Sequence, residues 1–160
     1  MAREYWETKK HLTDTSRNVD WDLRKKSLSN IPTHETRWYC KFCTGFCGTG
    51  KMLVRYKFQS FTNCPRCNKE NEDTKHVLQC DQAGANELWN EELDKVAEWM
   101  NEQNFPTDMA TSIVEGIQAW RKNIPLNTTT HDRDILKAVR AQIRIGWQNF
   151  IEGFWAWEWR

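Results

Sequence analysis

Three cysteines and one histidine stand at metal-ligand spacing in a short stretch of the chain: Cys64-Pro65-Arg66-Cys67, eight residues, His76, three residues, Cys80. Two cysteines separated by two residues can bite one tetrahedral ion from a single turn, whose backbone amides also stabilise thiolate charge. A spacing of four on a short helix puts His76 and Cys80 on one face, toward the same ion. The expected product is a closed Cys3His site for one structural zinc ion, with Cys64, Cys67, His76 and Cys80 as ligands. Four protein ligands leave no open position for water, which argues against hydrolytic chemistry at the ion. Asp73, ahead of Thr74-Lys75-His76, is placed to cap the ligand helix, and Val77 and Leu78 to anchor it.

Other reactive residue types give weaker patterns. Cys40, Cys43 and Cys47 have the spacing of one helix face, where a thiol packs as a small hydrophobe; a second metal site completed by His34, or a redox pair, stays open. Gly45 to Lys51 spells G-x-x-x-x-G-K, yet Met52 replaces the Ser or Thr that would hold magnesium, the preceding pattern is helical, and no apolar strand ending in Asp follows. His11 and His131 lie in polar company and read as surface. With no acid pair, Ser-His-Asp set or dinucleotide turn, no catalytic residue, enzymatic activity or small-molecule substrate is expected.

A formal net charge of +1 hides two opposed segments. Residues 37–69 hold seven Lys and Arg and no acid, whereas residues 70–108 hold eleven acids against Lys75 and Lys95. In the basic segment Arg37, Lys41, Lys51, Arg55, Lys57 and Arg66 interleave with Trp38, Tyr39, Phe42, Tyr56, Phe58 and Phe61, a mixture suited to phosphate contact and base stacking. Packing of the two segments against each other would equally account for the balance.

Apolar residues recur at three and four, so the elements that position these groups are expected to be helices. The pattern predicts helices over about 3–12, 20–29 with Asp20 as cap, 32–45 ended by Gly45, Gly48 and Gly50, and 73–80. Another is expected over 85–103, with Leu88, Trp89, Leu93, Val96, Trp99 and Met100 on one face. A further helix from Pro106-Thr107-Asp108 to about Lys122 is followed by a linker over 123–130. The last helix, from 131 to the end, is expected to bury Ile135, Val139, Ile143, Trp147, Phe150, Ile151 and Phe154 and to bend near Gly146 and Gly153. Strand character is confined to Met52–Phe61.

The fold class expected is mainly α, a helical domain over 1–122 built around a small Cys3His zinc knuckle at 63–81, with a Trp-rich C-terminal helix at 131–160 packed on it. A length of 160 residues suffices for a core without staples. Leu, Ile, Val and Phe supply thirty residues, and ten Trp compensate for that scarcity. Neither a membrane-length apolar run nor an apolar signal core is visible, which predicts an intracellular chain, nuclear or cytoplasmic, with reduced thiols.

The run Thr36-Arg37-Trp38-Tyr39-Cys40-Lys41-Phe42-Cys43-Thr44-Gly45 through Met52, then Cys64-Pro65-Arg66-Cys67 and Glu72-Asp73-Thr74-Lys75-His76-Val77-Leu78-Gln79-Cys80, resembles the zinc-binding domain that follows the polymerase in reverse transcriptases of non-LTR retrotransposons. The likeness covers about residues 36–80 and extends loosely to Ile145–Gly153. It implies that Cys64, Cys67, His76 and Cys80 bind zinc and that element RNA or target DNA is the partner, with Cys43 and Cys47 where the family more often has apolar residues. No polymerase motif with paired Asp is present, so the chain is expected to be at most the terminal part of such an enzyme, after an upstream polymerase domain, or a domesticated remnant. The expected function is non-catalytic nucleic-acid binding. The alternative is a zinc-stabilised interaction scaffold that docks an upstream or partner domain through exposed Trp155, Trp157 and Trp159.

Overall fold

The computed structural model describes residues 2–12 and 14–160, and the fold is mainly α, as the periodicity predicts. The helices are α1 (Ala2–Lys9), α2 (Trp21–Ser29), α3 (Thr33–Thr44), α4 (Gly50–Arg55), α5 (Thr74–Gln79), α6 (Ala83–Glu102), α7 (Thr107–Lys122), α8 (Arg133–Ile145) and α9 (Trp147–Ile151). Among the described residues the one β-type pairing is an antiparallel bridge between Val19 and Ala156. The chain divides into two compact units, the described part of Met1–Ile31 with Met100–Arg160, and Pro32–Trp99. Among the described residues no helix is long and apolar enough to cross a membrane.

In the first unit Asp20 starts α2 by accepting a hydrogen bond from the Leu23 amide at 2.8 Å. α7 turns Ala110, Ile113, Gly116 and Ile117 inward, and α8, capped by Asp132, buries Ile135, Ala138, Val139, Ala141 and Ile145. The Trp147 indole approaches α7 so closely that a Cβ on Gly116 would sit 2.0 Å from the ring, which accounts for a glycine in mid-helix. Leu12, Val19, Ala141, Ile145, Phe154 and Ala156 form a buried cluster against which Trp6, Trp21 and Trp159 pack. Two buried carboxylates here find cations nearer the surface: Asp20 pairs with exposed Arg160, and Glu152 with half-buried Lys10. Arg24 lies 3.7 Å over the Phe154 ring and donates to the Glu152 carbonyl at 2.7 Å.

The single helix expected from 131 to the end is corrected. α8 stops at Ile145 because Gly146, at φ 98°, turns the chain; α9 follows, and Trp157–Trp159 forms a 3-10 turn. Fully buried Gln142 fastens the returning segment. Its amide donates to the carbonyls of Gly146 and Phe154, each at 3.2 Å, and its oxygen accepts from the Ala156 amide at 2.8 Å and the Trp159 indole at 3.2 Å. Ile143, expected inward, is exposed, while of the three terminal Trp residues only Trp157 is exposed and Trp155 and Trp159 are half-buried.

In the second unit α3 follows Pro32, buries Phe42 and Cys43 and stops at Gly45. Gly50 opens α4 rather than ending α3, and the expected strand Met52–Phe61 is helix as far as Arg55 and then a turn with Lys57 at φ 61°. The cause lies twenty-two residues away: buried Glu72 accepts the Gly50 amide on its carboxylate at 2.7 Å and the Lys51 amide on its carbonyl at 3.0 Å. Two of the amides that a helix start leaves bare are thereby satisfied. α6 buries Ala85 and Leu93, but Leu88, Val96 and Trp99, expected on the same inward face, are exposed. Its buried stripe is narrower than its apolar pattern.

Candidate metal centre

The first ligand pair is shaped by a tight turn. The Asn68 amide donates to the Cys64 carbonyl, and the Cys64 amide to the Lys69 carbonyl, both at 2.8 Å; Asn68 takes the left-handed φ of 59°. The second pair rides on α5, whose cap is the one expected: Asp73 accepts from the His76 amide at 2.9 Å. Cys80 is the residue that ends this helix. One thiolate or imidazole nitrogen from each of Cys64, Cys67, His76 and Cys80 lies within 4.8 Å of all the others.

Two of the separations test the fit. Cys64 Sγ and Cys80 Sγ are 4.0 Å apart, and Cys67 Sγ is 3.2 Å from His76 Nε2. A metal–sulfur bond of about 2.3 Å in a regular tetrahedron gives an edge of about 3.8 Å, so a set whose ligand atoms all lie within 4.8 Å of one another is of a size that could hold one metal ion. Cys64 and Cys80 are buried with Ala85 of α6, and Cys67 packs against them, whereas Cys67 and His76 remain partly accessible.

Electrostatics favour a cation among these groups. Burial pushes the Cys64 thiol up, but the amides of Cys67 and Arg66 and the side chains of His76 and Cys67 outweigh it and bring it to about 7. At Cys67 the Lys69 amide favours the thiolate, yet burial and the neighbouring Cys64 and Cys80 prevail and hold the thiol above its ordinary range. Converging sulfurs resist carrying negative charge together, and a metal ion removes that resistance. Lys69 pairs with Asp81 at 2.8 Å, and Asp81 foremost, with lesser help from Cys67 and Cys80, keeps its ammonium charged above the usual range.

Glu72 is the positioning residue that spacing does not reveal. By capping α4 with its carboxylate it ties the segment before His76 to that helix, and Lys51 adds an ion pair to Asp73 at 3.1 Å. The same contacts dispose of the nucleotide-loop spelling, because the Gly50 amide and the Lys51 ammonium are taken by the protein's own carboxylates.

The remaining predicted residues divide. Arg37, Lys41, Arg55 and Lys57 are exposed and make no ion pair among the described residues; Lys51 pairs with Asp73, and Arg66 donates to the Val77 carbonyl at 2.7 Å. Cys40 is exposed, Cys43 buried and Cys47 half-buried; among the described residues they form no converging ligand group with the exposed His34. Burial raises the Cys47 thiol, with Lys41 opposing, as suits a packed thiol. His11 and His131 are exposed. No protein family, curated protein or solved structure matches the chain.

Proposed function

We propose that this chain is a non-catalytic zinc-binding module of a retroelement-derived protein that binds nucleic acid through its basic, aromatic-rich segment. The observation that carries the proposal is the presence, in the one unit Pro32–Trp99, of a Cys3His cluster and of exposed Arg37, Lys41, Arg55 and Lys57 among exposed aromatic rings. Three cysteine sulfurs and an imidazole nitrogen within 4.8 Å of one another suit zinc better than harder ions. Bound there, the metal cross-links the Cys64–Cys67 turn to α5, and all four of its positions are filled by protein. The resemblance of residues 36–80 to the domain behind retroelement polymerases supports the parentage and RNA or DNA as partner.

Metal analysis and salt-dependent binding test the two halves. About one zinc per chain is expected, together with nucleic-acid affinity that falls linearly on a log–log plot against salt. Fewer than about one zinc per chain, or unchanged folding on chelation, defeats the metal half; no binding at low salt defeats the other. The scaffold alternative retains Trp157 as its one exposed anchor among the last six residues.

A further inference from the structure

The turn between α4 and the first ligand cysteine holds an unusual amount of aromatic surface in solvent. Phe58 is 79% exposed, Phe61 60% and Tyr56 47%. The backbone beneath these rings is tied down: the Lys57 and Phe58 amides donate to the carbonyls of Val54 and Leu53, both at 2.9 Å, and the Gln59 side chain donates to the Phe61 carbonyl at 2.6 Å. Tyr56 and Phe58 meet edge to face with centroids 6.4 Å apart. Arg55 and Lys57 alternate with the rings and make no ion pair among the described residues.

A ligand that satisfies this segment must bring flat apolar faces and regularly spaced negative charge together. Nucleic acid does so only where its bases are unpaired, because a duplex keeps its base faces stacked inside. We propose that the turn Tyr56–Phe61 is a stacking platform for single-stranded nucleic acid, with Phe58 and Phe61 under the bases and Arg55 and Lys57 on the phosphates. This rests on the nucleic-acid reading above and specifies its substrate class. Neither ring belongs to the buried core, so replacing them leaves the fold and the ligand cluster in place.

The test titrates the full zinc-loaded chain with a fluorescently labelled oligothymidylate and with a DNA duplex of the same length, over a range of salt. The single strand is expected to bind about tenfold or more tightly than the duplex. Phe58→Ala with Phe61→Ala is expected to cost the single strand about tenfold or more in affinity with an unchanged salt slope, and Phe58→Tyr, which keeps a stacking face, to cost little. Arg55→Ala with Lys57→Ala is expected to flatten the single-strand slope by about 1.4. Equal binding of duplex and single strand, or a double Phe variant that binds the oligothymidylate like the parent, overturns the platform and leaves the broader nucleic-acid reading standing. Failure of both probes at low salt overturns both.

Discussion

Glu72 takes with its own carboxylate the Gly50 amide at the start of α4, where a phosphate-binding loop would offer that amide to a ligand. Because the carboxylate is buried, its loss leaves a donor bare: Glu72→Ala is expected to lower unfolding free energy by about 1–3 kcal/mol in urea titration, and Glu72→Gln, which keeps an acceptor, by less. Close approach governs position 116. There the helix preference of Ala over Gly, about 1 kcal/mol, opposes a Cβ placed 2.0 Å from the Trp147 ring, and overpacking costs about 1–3 kcal/mol or more. Gly116→Ala should therefore lower the melting temperature, and an unchanged or raised value would refute the packing described for Trp147. Neither role is visible from residue type alone, since each depends on a group remote in sequence.

At the scale of elements, α5 is too short to stand alone and depends on its cap and its tie to α4. Asp73→Ala should cost about 1 kcal/mol of stability and, by loosening the helix that presents His76 and Cys80, weaken metal affinity in competition with a chelating dye. The pH dependence follows from the same carboxylate. Burial raises Asp73, but the His76 amide and Lys51 outweigh it and hold it below its ordinary value of 3.8. A depressed folded value means that its contribution is complete above the unfolded value and is lost as pH falls through the folded one. The stability difference between the parent and Asp73→Asn should thus be constant near neutrality and shrink below about pH 4. Gln142 is the corresponding tie in the first unit, with four hydrogen bonds on one buried amide. Gln142→Leu is expected to destabilise by about 2–4 kcal/mol and to free the Ala156 and Trp159 amide and indole protons for exchange.

At the scale of the whole molecule, the two units differ in what holds them. The described part of Met1–Ile31 with Met100–Arg160 has a buried cluster with no ligand group in it, whereas Pro32–Trp99 buries Phe42, Cys43, Met52 and Leu93 and carries the ligand cluster, where Cys64 and Cys80 pack with Ala85. Chelation of the zinc-loaded protein is therefore expected to abolish amide-exchange protection in α4 and α5 while protection in α7 and α8 persists. Simultaneous loss in both would show that the units fold as one.

What the amino-acid order determined by itself is local. Ligand spacing within seventeen residues, the caps Asp20 and Asp73, the stop at Gly45 and the helical period all depend on neighbours a few residues apart, and each stands as expected. Tertiary structure decided the rest. The capping of Gly50 by Glu72, the capture of the C-terminal segment by Gln142, the seating of Arg24 on Phe154, and the exposure of Leu88, Val96 and Ile143 all turn on which distant segments meet. Periodicity states which residues could be covered; only the remote surface that arrives, or fails to arrive, settles which of them are.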